Sequence, residues 1–157
     1  MSIMEVKLKL EFVAELDNIK TGGIDMSISL YYQAKRERPL TLKETSTCQE
    51  IIKQYDTQYP FGELYEGFCV YDLGSFRDES EKDVIFNGAT KLPTVDEADI
   101  QILFNIIGYW VKCLDELTKA LPGAAWEVNL DDMEMIWDDN EGWHFPTDEE
   151  YKKRQSD

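Results

Sequence analysis

Val6, Leu8, Leu10, Phe12, Ala14 and Leu16 alternate with Lys7, Lys9, Glu11, Val13 and Glu15, and Ile24, Met26, Ile28, Leu30 and Tyr32 alternate with Asp25, Ser27 and Ser29. A period of two held this long puts every second side chain on one face, which suits a half-buried strand and not a helix. Between the runs lies Asp17-Asn18-Ile19-Lys20-Thr21-Gly22-Gly23, turn-forming at both ends. The pair is expected to form an antiparallel hairpin with one face against a core. Whatever else the chain does, it has to cover that face.

The rest of the sequence supplies the cover. Ala34 to Lys43 is charged, contains Pro39 and reads as a connection. Beyond it, Ser46 with Gln49, or Thr47 with Glu50, has capping-box spacing, and Ile51, Ile52 and Tyr55 can share one side of a short helix that ends at Tyr59-Pro60-Phe61-Gly62. Phe68-Cys69-Val70-Tyr71 reads as a buried strand and Val84-Ile85-Phe86 as a second, with the polar loop Arg77 to Asp83 between them. Pro93-Thr94 precedes Glu97 at capping distance, and Ala98, Ile102, Leu103, Ile106, Ile107, Trp110, Leu114, Leu117 and Leu121 follow helical steps. This main helix should stop at Pro122-Gly123. Trp126, Val128 and Leu130, then Met133, Met135 and Trp137, alternate about Asp131-Asp132 as a second hairpin, with Glu127, Asn129, Glu134 and Asp138 on its wet face and apolar Ile136 among them.

Residues 1–150 therefore read as one α+β domain: a mainly antiparallel sheet with one long and one short helix packed on one face, followed by a frayed tail over 151–157. No internal repeat or long Pro- or Gly-rich linker divides it. At 157 residues such a domain buries roughly 70% of the surface its unfolded chain exposes, enough to need no staple. Cys48, Cys69 and Cys113 leave one thiol over in any pairing and have no metal-site spacing, which fits a reducing compartment. The N-terminal run lacks the apolar core of a signal peptide, and the best apolar stretch, Ile100 to Val111, is interrupted by Gln101 and Asn105. A cytoplasmic protein with no membrane contact is expected.

Charge is the feature that bears on function. The chain has 16 basic and 32 acidic residues, net −16, and from Ala120 to Tyr151 it holds ten carboxylates, three of its four Trp, and no Lys or Arg. Such a field repels nucleic-acid phosphates and attracts basic proteins, so direct nucleic-acid binding is not expected. The one cluster of bases, Lys35-Arg36-Glu37-Arg38, has an acid inside it and reads as a solvated loop or as a counter-charge to the acidic end.

Catalytic and metal chemistry find little support. His144, the sole histidine, sits between Trp143 and Phe145 and suits an aromatic cluster better than general-base work, although a sensor or small enzyme using it, or a thiol paired with it, is an alternative. Asp138-Asp139-Asn140-Glu141-Gly142 imitates a calcium loop, but its glycine falls one position early and Pro146 interrupts the remainder before Glu149. Asp78-Glu79-Ser80-Glu81-Lys82 lacks the strand context of a nuclease site, and no lysine-serine or lysine-threonine pair follows Gly22-Gly23 to make a phosphate cradle. No catalytic residue, metal ligand or cofactor is assigned. Trp110 lies on the apolar helix face and belongs to the core.

What remains is an acidic aromatic surface: Asp131, Asp132, Glu134, Trp137, Asp138, Asp139, Glu141, Trp143 and His144. Interfaces concentrate energy in a few buried aromatics, and surrounding charge sets encounter rate and selectivity. A Lys- and Arg-rich protein is the partner this composition suits. The same aromatics can instead close the sheet, with acids only on the solvent side. With its terminal stretches Trp126-Glu127-Val128-Asn129-Leu130-Asp131-Asp132 and Trp137-Asp138-Asp139-Asn140-Glu141-Gly142-Trp143, the chain resembles the immunity proteins of bacterial polymorphic and contact-dependent toxin systems. The resemblance is of type and carries no diagnostic motif. It implies a protein that binds a basic toxin domain, often a nuclease, and blocks its active or substrate-binding surface. The alternative is a phage antidefence inhibitor that imitates DNA and binds DNA-binding enzymes.

Overall fold

Alternation makes Ser29–Lys35 a strand, β1, in which Leu30, Tyr32 and Ala34 are buried while Tyr31 and Lys35 face outward. The computed structural model describes residues 28–64, 67–73, 83–93 and 100–146. The first alternating run, the turn after it and the expected tail over 151–157 lie outside the described residues. The second run is seen from Ile28 onward, and it continues through Ala34 and Lys35, which the sequence assigns to a connection.

β1 lies at the centre of a five-stranded antiparallel sheet. The other strands are β2 (Cys69–Leu73), β3 (Val84–Lys91), β4 (Ala125–Leu130) and β5 (Met133–Glu134), in the order β2-β3-β1-β4-β5. Register places Tyr32 opposite Gly88 on one side and opposite Val128 on the other. A Cβ at Gly88 would stand 2.6 Å from the Tyr32 ring and 2.2 Å from the Cys69 carbonyl oxygen. Only glycine lets that ring cross the strand. The Tyr32 hydroxyl donates to the Cys69 carbonyl at 2.7 Å and meets Thr90 Oγ1 at 3.0 Å, and its ring stacks on Phe68 at 4.4 Å. β3 thus extends well past the predicted Val84 to Phe86.

Two helices supply the second layer: α1 (Leu42–Thr57) and α2 (Ile100–Ala120). Leu103, Ile106, Trp110, Leu114 and Leu117 form one buried cluster with Leu30, Tyr32, Phe86 and Val128 of the sheet. Full burial of each such side chain contributes about 1.5–3 kcal/mol. α2 ends where expected: the Leu121 N–H donates back to Leu117 and Thr118, and Gly123 turns the chain with φ 79°. The fold is a single α+β domain with a mainly antiparallel sheet.

α1 starts earlier than either sequence candidate. Its capping box is Thr41 with Glu44: the Glu44 N–H donates to Thr41 Oγ1 and the Thr41 N–H to Glu44 Oε1, both at 3.0 Å. Arg36 decides this choice. Its side chain, 6% exposed, pairs with Glu44 at 2.8 Å, and its five N–H groups all find acceptors: the two Glu44 carboxylate oxygens and the carbonyls of Arg38, Pro39 and Pro122. One buried guanidinium ties the end of β1, the connection, the start of α1 and the turn after α2. Arg36 is therefore neither a solvated loop residue nor a counter-charge to the acidic end.

Candidate functional site

The expected second hairpin breaks at Met135. Met135 is buried, with its N–H donating to the Val128 carbonyl, and the chain then leaves the main sheet. Ile136–Asp138 (β6) pairs instead with Gly142–His144 (β7), matching Ile136 with His144, Trp137 with Trp143 and Asp138 with Gly142. The acids after Trp137 thus lie in the turn of a separate two-stranded sheet, and Asp138, expected on the wet face of the second hairpin, belongs to β6.

The nine expected surface residues divide between two turns. Asp131, Asp132 and Glu134 belong to the β4–β5 corner. There Asp131 adopts φ 51°, donates its N–H to the Ser29 carbonyl at 2.8 Å and accepts the Ser29 N–H on Oδ1 at 2.9 Å. That carboxylate closes the sheet, while Asp132 and Glu134 are exposed. Trp137, Asp138, Asp139, Glu141, Trp143 and His144 share the β6–β7 hairpin. Six residues of near-extended chain, Met133–Asp138, lie between the two turns, a span of up to about 20 Å.

Local hydrogen bonds shape the hairpin turn. Asp138 Oδ2 accepts from the Glu141 N–H at 2.8 Å and the Asn140 N–H at 3.2 Å, an Asx turn, and Trp137 Nε1 donates to Asp139 Oδ1 at 2.9 Å. Gly142 follows with φ 80°. Asp139 and Glu141 are exposed, and Trp137 and Asp138 are half-buried. Among the described residues the ion pairs are those of Glu44 with Arg36 and Arg38, so Asp132, Asp138, Asp139 and Glu141 have no cationic partner there.

The hairpin is fastened to α2 by residues that the sequence reading missed. Asp115 Oδ1 accepts the Trp143 N–H at 2.9 Å, and Thr118 Oγ1 accepts Trp143 Nε1–H at 2.9 Å while donating to the Leu114 carbonyl at 2.7 Å. A Cβ at Gly142 would lie 2.5 Å from the Asp115 carboxylate, so glycine is needed both for the left-handed turn and for the approach of α2. Burial raises the Asp115 pKa, and the Trp143 N–H and Lys119 oppose the shift. Trp143, expected at the partner surface, is buried and holds the hairpin in place. Trp137 leans on it at 5.5 Å and remains the aromatic at the hairpin surface.

His144 is half-buried, with Nδ1 3.2 Å from the Gly142 carbonyl oxygen. Burial pushes the Cys48 thiol up to about 11 and the Cys113 thiol higher still, which disfavours either as a nucleophile. Among the described residues no three His, Cys, Asp or Glu side chains converge as a metal ion would require. No described helix is long and apolar enough to cross a membrane. Comparison with models of known protein families, with curated proteins and with solved structures gave no match.

Proposed function

We propose that this chain is an acidic protein-binding inhibitor: a cytoplasmic immunity protein that neutralises a basic toxin domain by covering its active or substrate-binding surface. The observation carrying this reading is the β6–β7 turn. Asp138, Asp139 and Glu141 are gathered there without a cationic partner among the described residues, beside half-buried Trp137. Like charges held this close repel, and a Lys- or Arg-rich surface relieves the repulsion on binding. The fastening through Asp115 and Thr118 supports the same reading, because a hairpin ordered in advance loses less entropy when it docks.

In this mechanism the carboxylates speed encounter and occupy cations that would hold the toxin's substrate, and Trp137 fills an adjoining pocket. The Asp138 carboxylate also builds the turn and Asp139 accepts the Trp137 Nε1–H, so charge reversal at Asp139 and Glu141 is paired with Asp139→Asn/Glu141→Gln, which removes the charge and keeps an acceptor for Trp137. Affinity purification from the native host with the wild-type chain should recover a basic protein in equal amount, and Asp139→Lys/Glu141→Lys should lose it. Equal recovery by both would remove the hairpin from the interface. Selectivity against a panel of DNA-binding enzymes separates an immunity protein from an inhibitor imitating DNA, which should bind several of them.

A further inference from the structure

We draw no further inference here: the strongest candidate, the groove between β2 and α1 lined by Ile52, Phe68, Val70 and Leu73 with Lys53 and Asp56 on its helical wall, carries none because nothing in the structure shows what covers it.

Discussion

Arg36 and Glu44 show how much a single pair can hold. Arg36 is buried and Glu44 half-buried, and Arg36→Ala leaves that carboxylate and three main-chain carbonyls without their donor, so it should lower denaturant stability by about 1–3 kcal/mol. Hydrogen bonding from Arg36, assisted by the Thr41 N–H, lowers the Glu44 pKa from the usual 4.5 to about 2. The stabilisation is therefore complete above pH 4.5 and is lost as pH falls towards 2. Denaturant titrations should show an acid limb in that window, flattened in Arg36→Ala; an unchanged limb would mean that Glu44 is not the group responsible. The Trp side chains provide a contrast. Among the described residues Trp126 Nε1 is buried with no hydrogen-bond partner, whereas Trp143 Nε1 has Thr118. Trp126→Phe removes an orphan donor that costs about 1–3 kcal/mol, which offsets the lost ring area. Its stability should stay within about 1 kcal/mol of wild type, and Trp143→Phe should lose clearly more. The reverse order in thermal or urea unfolding would contradict the assigned partners.

At the scale of elements, the β6–β7 hairpin makes a prediction of its own. Its attachment to α2 depends on Asp115, Thr118 and the missing side chain at Gly142. Gly142→Ala drives a methyl into the Asp115 carboxylate at a positive-φ position, so the hairpin should detach. Loss of near-ultraviolet signal from Trp137 and Trp143, with the far-ultraviolet helix signal retained, is the expected readout; an unaltered spectrum would contradict the docking. Much of the element pattern was legible in sequence, for local reasons. The apolar steps of α2 and its Pro122-Gly123 stop are written within one turn of each residue, as is the alternation of β4. The start of α1 was not, because Thr41-Leu42-Lys43-Glu44 competes with two other capping-box spacings and the Arg36 guanidinium, just past β1, selects among them. β3 was underread because Asn87-Gly88 looks like a break until the Tyr32 ring is seen to occupy the space. The β6–β7 pairing was missed because alternation through Met133, Met135 and Trp137 continues across Met135, where the chain changes sheets. Asp115 reaches Trp143 across 28 residues of sequence, a contact that no local pattern encodes.

For the whole molecule, the distribution of charge matters more than its sum. The acids that appear continuous from Asp131 to Glu141 divide between a sheet corner, where Asp131 is committed to Ser29, and a hairpin turn, where Asp139 and Glu141 face solvent. The hairpin is the turn that combines exposed carboxylates with a half-buried aromatic side chain, Trp137. The most direct measurement is the association rate with the proposed basic partner, once recovered from the native host, followed by stopped flow as salt rises from about 0.05 to 0.5 M. For the wild-type chain the rate should fall at least about tenfold, and Asp139→Lys/Glu141→Lys should be slower at low salt with a much shallower dependence. A rate indifferent to salt, or the same salt dependence in both proteins, would contradict capture by the acidic hairpin.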